Sequence, residues 1–350
     1  MNAGLKNVEL MNTAWINKIR KTLVDKESRI LFDARMDYMF TGDEDKYFDV
    51  IESLPHEWKC VDRDIDNKEE IIIFGCGRDG RKTNRVLRKS GYAAKYFCDS
   101  NISGRKVDGL EVISVDELFE KHSGALVILG SAKYNTEMYY ELRARGWPKN
   151  RMIKPQYGIV RSKTGAQYFD FFPCEKKEVF VDAGGFDGKT TLEFAAWTGE
   201  NYGKVFILEP LTEMCDVIER SVKQEGLDNI VINNCAAWNK EEKLYFYENS
   251  GGSKIVEEEG MVIQGRTIDN IVGEEQVTYI KMDIEGSELK ALQGAKQTIL
   301  RCKPKLAICI YHKPGDIIVL SSYILELVPE YKLAIRHYCS NMWETVLYAY

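Results

Sequence analysis

The residues best placed to do chemistry are two acids closing apolar runs, the glycines beside the first of them, and a second pair of acids and a histidine closing two later runs. The stretch Val179-Phe180-Val181-Asp182-Ala183-Gly184-Gly185-Phe186-Asp187-Gly188-Lys189-Thr190-Thr191 is apolar, then acidic, then glycine-rich, then helix-forming. It reads as strand, tight turn and helix, in which Gly184, Gly185 and Gly188 can take positive φ and let a ligand reach the backbone. A turn at the carboxyl end of a parallel strand is where open α/β sheets bind ligands. One helix and one strand further on, Val205–Leu208 ends in Glu209-Pro210. An acid closing the second strand commonly holds ribose hydroxyls. The run Asp-Ala-Gly-Gly-Phe-Asp-Gly is not the dinucleotide fingerprint, and Ala183 stands where a P-loop needs its first glycine. The turn therefore suits a nucleoside without a pyrophosphate, and S-adenosylmethionine is the commonest such cofactor.

Asp283 and Glu285 close another strand and point to one side only if the chain is still extended there. His312 ends the run Ile308-Cys309-Ile310-Tyr311-His312, and an imidazole with an intrinsic pKa of about 6.5 suits a general base. The plain alternative is a solvated or substrate-bonding histidine, with Asp283 as base or as the group that orients the acceptor. Mg2+ on Asp283, Glu285 and His312 is conceivable because hard oxygen ligands favour it. A plain carboxylate pair without metal is the expectation. Lys281 and Glu288 read as a solvated or paired flank, and His337 as a core or surface residue. Tyr245, Phe246 and Tyr247 could line a cleft, but a strand with one buried face explains them better.

An earlier segment carries a second motif. Ile71-Ile72-Ile73-Phe74 runs into Gly75-Cys76-Gly77-Arg78-Asp79-Gly80 and a helix, which satisfies G-x-G-x-x-G in the strand-to-helix setting that gives it meaning. Asp99 closes the next strand at about the distance where an acid meets a ribose hydroxyl. Gly75, Gly77, Gly80 and Asp99 thus form a candidate nucleotide site. The competing reading is a scaffold whose glycines only permit close helix–strand packing. No second half follows to hold a nicotinamide, and Tyr134 and Tyr139 lack a lysine four residues on, so redox chemistry is disfavoured.

These residues need elements to position them. Residues 1–66 read as helices, a cap or dimerisation element: Thr13–Val24, Ser28–Phe40 and Asp45–Leu54, with Thr41-Gly42-Asp43 as stop and new cap. Residues 67–158 read as a small Rossmann-like α/β domain. Residues 159–350 alternate strands with helices, which argues for a mostly parallel sheet. One strand is expected over Ile230–Ala236, one helix over Leu289–Arg301, and a further short strand over Lys243–Ser250. The last two strands, Leu333–His337 and Thr345–Ala349, are joined too tightly for a parallel crossover and should be antiparallel.

The C-terminal residues resemble the FkbM family of S-adenosylmethionine-dependent O-methyltransferases. The likeness rests on Phe180–Gly188, Ile207-Leu208-Glu209-Pro210, Arg266-Thr267-Ile268-Asp269, Ile280-Lys281-Met282-Asp283-Ile284-Glu285-Gly286-Ser287-Glu288 and Glu344-Thr345-Val346-Leu347-Tyr348-Ala349, and spans roughly residues 165–350. It implies a seven-stranded Rossmann-like methyltransferase sheet and methylation of a hydroxyl, often on a sugar, polysaccharide or polyketide. It also implies that Asp182, Gly184, Gly185, Asp187 and Gly188 shape the donor turn, that Glu209 and Pro210 meet the ribose, and that Ala236 and Ala237 flank the adenine. Asp283 and Glu285 would lie beside the transferring methyl. Phe186 departs from the smaller or polar residue common there. The expected partner is a carbohydrate or other small-molecule hydroxyl acceptor. A natural-product hydroxyl, or noncatalytic nucleotide-sugar binding, is the alternative.

Composition narrows the class. The chain has 350 residues, with 48 basic and 54 acidic side chains and a net charge of −6, and no dense basic stripe to hold nucleic acid. Apolar runs are of strand length, so no membrane span is expected. Met1–Arg20 lacks an apolar core followed by a cleavage site, and the nine cysteines are scattered. Both features point to a cytoplasmic protein with reduced thiols, free to form a homo-oligomer.

Overall fold

The computed structural model describes residues 13–54, 57–60, 65–66, 68–131, 133–155, 158–160, 167–175, 177–249, 252–256, 260–339 and 342–350. In chain order, α1 (Thr13–Thr22), α2 (Lys26–Thr41) and α3 (Glu44–Ser53) lead into β1 (Glu57–Lys59), β2 (Ile71–Phe74), α4 (Arg78–Lys89), β3 (Tyr96–Cys98), β4 (Arg105–Val107), β5 (Leu110–Ile113), α5 (Val115–Lys121), β6 (Leu126–Leu129), α6 (Asn135–Ala144), β7 (Met152–Ile153) and β8 (Gly158–Val160). Then come β9 (Val179–Ala183), α7 (Lys189–Trp197), β10 (Lys204–Leu208), α8 (Thr212–Gln224), β11 (Ile230–Asn233), β12 (Ala236–Ala237), β13 (Glu242–Asn249), β14 (Gly252–Val256), β15 (Met261–Arg266) and α9 (Ile268–Val272). The chain closes with β16 (Tyr279–Met282), α10 (Glu288–Gly294), α11 (Lys296–Cys302), β17 (Lys305–Cys309), α12 (Asp316–Leu327), β18 (Leu333–His337) and β19 (Thr345–Ala349).

Two compact units result: Met1–Leu54 with Ser162–His337 and Met342–Tyr350, and Pro55–Arg161 with Tyr338–Asn341. The segment read as helical over 1–66 is therefore shared between them at Leu54.

The larger unit is built on a seven-stranded sheet of order β11-β10-β9-β16-β17-β19-β18. The first five strands pair in parallel, and β19 runs antiparallel to both β17 and β18. This is the mixed, Rossmann-like sheet expected from the alternating pattern. Beneath its centre, Phe169, Phe180, Phe194, Trp197 and Tyr279 pack ring on ring, with Phe180 and Phe194 stacked at 4.5 Å.

Two elements differ from their expected form. The strand over Ile230–Ala236 breaks at Asn234, whose amide donates to the Glu209 and Pro210 carbonyls. The chain then enters a second sheet, of order β12-β15-β13-β14. The helix over Leu289–Arg301 divides at Ala295, because the Asp269 carboxylate caps a new start by accepting from the Gln297 and Thr298 N–H groups. At Gly294 a side chain would strike the Trp238 carbonyl, so the two halves stay close to that loop.

The N-terminal helices belong to the edge of the seven-stranded sheet. α2 packs on the edge strand β18 and α1 on α12. Val24 N–H donates to the Leu333 carbonyl and Ile335 N–H donates to Ser28 Oγ, so the open side of β18 is covered rather than left to recruit another strand. Asp25 caps α2 and pairs with Arg336 at 2.6 Å. Burial pushes the Asp25 carboxyl up, but Arg336 and the Ser28 N–H outweigh it and bring its pKa down to about 2. Gly42 ends α2 in the left-handed region, with φ +67°, and Asp43 caps α3, as the sequence indicates. Buried Arg35 reaches from α2 to the carbonyls of Ile310 and Met342, each at 3.0 Å, and so ties together two loops that follow or precede sheet strands.

The smaller unit has a six-stranded sheet of order β4-β5-β3-β2-β6-β7, parallel except for the β4–β5 pair. Ile72, Phe74, Val127, Leu129 and Trp147 are central to its core.

Replacing Arg35 with Met leaves one buried and one half-buried carbonyl without their charged donor. The substitution is expected to cost about 2–3 kcal/mol in urea unfolding, and a change below about 0.5 kcal/mol would mean that the tie is ornamental. Asp25 contributes stability that is present above about pH 4 and is lost as pH falls through about 2. Asp25→Asn is expected to flatten that acid limb in a pH series of melts.

Candidate active site at the strand tips

The carboxyl tips of β9, β10 and β16 meet around a buried ion pair. Lys281 Nζ lies 3.0 Å from Asp182 Oδ1 and donates to the Gly184 carbonyl at 2.7 Å. Thr191 Oγ1 donates to the other Asp182 oxygen at 3.1 Å. Both charged side chains are almost fully buried. Burial works against the Lys281 ammonium, but Asp182 and Asp283 more than restore it and raise its pKa. Asp182 is thus spent on the turn itself. Gly184 has φ +86°, and a side chain there would collide with the Asp283 carbonyl, so glycine is required by contact between the two strand ends.

Glu209 is buried, and its carboxylate accepts from Phe186 N–H and Leu211 N–H, each at 2.9 Å. Burial raises its pKa. These bonds orient both oxygens at the rim of a cavity of about 510 Å³. The wall includes Gly184, Glu209, Pro210, Ala236, Ala237 and Asp283, six of the residues expected to hold the donor. Phe246 and Ile255 of the β13–β14 hairpin close one side, while Tyr245 and Tyr247 alternate to exposed positions. A second cavity of about 350 Å³ is lined by Gly185, Asp187, Tyr168 and Lys189 among others. Asp182 and Gly188 line neither, and support the turn from behind. A depression of about 620 Å³ between α8 and β11 carries neither Glu209 nor Asp283.

Asp283 sits where the cavities adjoin. It accepts from Tyr168 Oη at 2.8 Å and from Tyr311 Oη at 3.0 Å, one hydroxyl on each oxygen. Burial pushes its carboxyl up, but Lys281, His312 and the two hydroxyls prevail and hold it below the ordinary carboxylate range. Glu285 does not continue the strand. Its φ of +55° turns it onto a tight loop, so the two acids reach the site by different routes. Glu288 Oε1 accepts from the Ile284 and Gly286 N–H groups and fixes that loop.

His312 lies behind these carboxylates and lines neither cavity. Its Nε2 is 3.4 Å from Asp283 and 3.5 Å from Glu285. Its Nδ1 is 2.9 Å from Glu288 Oε1, at an angle outside hydrogen-bond geometry, so that contact is ionic. Burial favours the neutral ring, but Glu288, then Asp283 and Glu285, outweigh it and raise the pKa. Lys281 and Glu288 are both buried, so the paired form of that flank holds and the solvated one does not. His337 is fully buried against Thr345.

Asp283, Glu288 and His312 offer donor atoms within 4.8 Å of one another. Both Asp283 oxygens and Glu288 Oε1 already accept protein hydrogen bonds, the third donor is a nitrogen, and Glu288 Oε2 is the one buried oxygen of the set left without a partner among the described residues. A Mg2+ ion seeks several free oxygens, so this set does not fit it.

Tyr168 escapes a motif-based reading, whereas Tyr311 and Glu344 stand inside the runs Ile308–His312 and Glu344–Ala349 without being singled out there as site residues. Tyr168 lies outside the glycine and acid runs. Glu344 stands one residue before β19, and its place at the head of the Glu344–Ala349 run is the sequence signal that could have pointed to it. Phe186 and Glu344, like Glu285, are non-glycine residues at positive φ, +45° and +56°. Such strain at a cavity wall is a mark of function.

In the smaller unit, Gly75, Gly77, Gly80 and Asp99 do gather at one turn. Asp99 accepts from Cys76 N–H at 3.1 Å and from Asn101 N–H at 3.0 Å, and a side chain at Gly80 would strike the Gly75 carbonyl. Asp99, Gly75 and Gly80 are therefore engaged within the turn itself, whereas the space beside Gly77 is open.

A parallel sheet with an antiparallel last strand, an acid-tipped second strand and a cavity across the tips defines the class of Rossmann-like methyltransferases. The family model of the methyltransferase FkbM domain matches residues 182–332. That match, over less than half of the chain, supports a methyltransferase reading of the larger unit. Among solved structures, it is similar to methyltransferase FkbM from Methylobacillus flagellatus, with 20% identity and a TM-score of 0.50 over 91% of this chain and 98% of that one. An rRNA methylase from Streptococcus thermophilus is 14% identical, with a TM-score of 0.33 over 53% of this chain and 90% of its own. A SAM-dependent methyltransferase from Aquifex aeolicus is 17% identical, with a TM-score of 0.33 over 54% and 93%. No curated protein matches the chain.

His312 is expected to remain protonated above the ordinary histidine range in an NMR titration, and a midpoint at or below about 6.5 would contradict its cage of carboxylates. Its contribution to stability is fully present below about pH 6.5 and fades as pH rises through the elevated folded value. Lys281→Met strands a buried Asp182 charge and is expected to cost about 3–5 kcal/mol by denaturant unfolding.

Proposed function

We propose that the protein transfers a methyl group from S-adenosylmethionine to a hydroxyl, on a sugar or surface-polysaccharide precursor. The observation that carries this reading is the cavity of about 510 Å³ bounded by Gly184, Glu209, Pro210, Ala236, Ala237 and Asp283. Its apolar wall at Leu211, Phe246 and Ile255 suits an adenine face. Glu209, anchored by two backbone N–H groups, retains lone pairs for ribose hydroxyls.

The sulfonium of the bound donor supplies an activated methyl. The protein's task is to hold an oxygen nucleophile in line with it at about 3 Å and to exclude water. Asp283, kept ionised and gripped by two tyrosines, orients the donor or acceptor. His312, held toward its protonated form, steadies Asp283 and Glu285 rather than accepting a proton. Carboxylates and tyrosine hydroxyls around the cleft suit a polyhydroxylated acceptor, and a natural-product hydroxyl would be served by the same groups. Nine free cysteines, six of them buried, suit a reducing, cytoplasmic setting. Among the described residues no helix is long and apolar enough to cross a membrane.

S-adenosylhomocysteine is expected to raise the melting temperature, and Glu209→Ala to abolish that rise while leaving the apo protein folded. Nucleotide sugars and small polyols, incubated with the donor, are to be screened for a mass gain of one methyl. No stabilisation by the donor product would sink the proposal. Transfer is expected to survive EDTA, and a loss restored by Mg2+ would instead make the Asp283–Glu288–His312 cluster a cation site.

A further inference from the structure

We propose that Glu344 is the general base that takes the acceptor's hydroxyl proton as the methyl moves. This rests on the reading of the cleft as a methyl-donor site. Gly184, Phe186, Asp283 and Glu344 line both cavities and so form the neck between them. The adenosyl and aminocarboxypropyl arms of the donor meet at its sulfur. A donor with one arm in each cavity has its sulfonium at that neck.

Of the four neck residues, only two can handle a proton. Asp283 has both oxygens engaged by tyrosines and is held ionised. Glu344 accepts one bond, from Gln167 Nε2 to Oε2 at 2.7 Å, and its Oε1 has no hydrogen-bond partner among the described residues. The other candidates fit less well. His312 lines neither cavity, and Glu285 lines only the first, with a half-exposed side chain facing His312.

The surroundings hold Glu344 in place. Its backbone sits at φ +56°, a conformation disfavoured for a side chain of this size. The preceding Met342 carbonyl is bound by Arg35, and the following Thr345 carbonyl accepts from Ile310 N–H. Its partner Gln167 is fixed by Tyr348 Oη on its carbonyl, and the adjacent Tyr168 carbonyl by Tyr279 Oη. Three loops therefore converge to aim one carboxylate. The charged and titratable groups around it are Asp283, His312 and Lys281, with Tyr168, Tyr311 and the buried Cys309 thiol. Burial and Asp283 push its carboxyl up, and Gln167, His312 and Lys281 only partly oppose them. A carboxylate so raised is a stronger base at neutral pH than an exposed one.

In the step, the acceptor oxygen forms a bond to the methyl carbon as the carbon–sulfur bond breaks. The electron pair of that bond goes to sulfur and leaves neutral S-adenosylhomocysteine. The hydroxyl proton passes to Glu344 Oε1, and its bonding pair stays on the ether oxygen. A sulfonium and a carboxylate thereby become a thioether and a carboxylic acid.

A carboxylate so near the sulfonium must favour the charged donor over the neutral product. Calorimetry with S-adenosylmethionine and S-adenosylhomocysteine on wild type and Glu344→Gln tests this. The variant is expected to bind the donor about tenfold more weakly and the product within about twofold of wild type. On an acceptor found in the methyl-gain screen, kcat is expected to fall by about 10²–10⁴ with KM little changed. The wild-type preference for donor over product is also expected to shrink as pH falls and Glu344 takes up a proton, a measurement that needs no variant. An unchanged donor-to-product ratio in the variant, a pH-independent preference, or full turnover by Glu344→Gln overturns the assignment. If wild type binds neither compound, the donor-site reading itself fails.

Discussion

The Lys281–Asp182 ion pair is the constraint on which the strand-tip site depends. An ammonium and a carboxylate removed from water are tolerable only when each is fully engaged, and here each is. Lys281 adds the Gly184 carbonyl and Asp182 adds Thr191, so one pair stitches the end of β9, the turn after it and the start of α7 to β16. With β9 and β16 locked in register, Gly184 can press against Asp283, and the cleft has a fixed floor. The same ammonium helps keep Asp283 ionised, so a structural device also sets the charge of a functional group.

Above that floor, the polar groups of the site are positioned by hydroxyls rather than by further charges. Tyr168 and Tyr311 grip Asp283 from opposite sides, while Tyr279 and Tyr348 bind the carbonyls of the segment that supplies Tyr168 and Gln167. A tyrosine can bury its ring in the aromatic core and still present a donor at its tip. The aromatic richness of the chain is therefore used to carry order from the core to the carboxylates. The N-terminal helices act similarly. By covering β18 and tying Ile310 to Met342 through Arg35, they stabilise the two loops that deliver Tyr311 and Glu344.

What could be read in the sequence follows from which interactions are local. The strand-turn-helix at Asp182–Gly188, the acid at Glu209, the pair at Asp283 and Glu285, and the antiparallel ending were legible because spacing and residue type carry them. The role of Asp182 was less so. An acid at a strand tip looks like a ligand-binding group until its partner Lys281, about a hundred residues away, is seen beside it. The break at Asn234 and the divided helix at Ala295 escaped for the same reason, since each is decided by a side chain reaching from another loop. Tyr168 carries no local signature at all, and Glu344 sits at the head of a recognisable run that gives no hint of its role. The glycines at Gly75–Gly80 show the converse, a pattern that is fully local and yet serves packing as well as it would serve a ligand.

The charges of the site are arranged in two layers. Glu209, Asp283, Glu285 and Glu344 face the cleft, whereas the side chains of Lys281, at the floor of the second cavity, and His312, which lines neither cavity, are buried and paired. Without the buried cations, so many carboxylates around one cavity would repel one another and take up protons, and the cleft would lose its negative character. With them, Asp283 is held below the ordinary carboxylate range, while burial keeps Glu344 above it although the same cations act on it. Two carboxyls at one neck are thus driven apart in acidity, which is the division of labour that a positively charged donor and a proton-bearing nucleophile require. One is kept as a fixed charge and the other is left able to change.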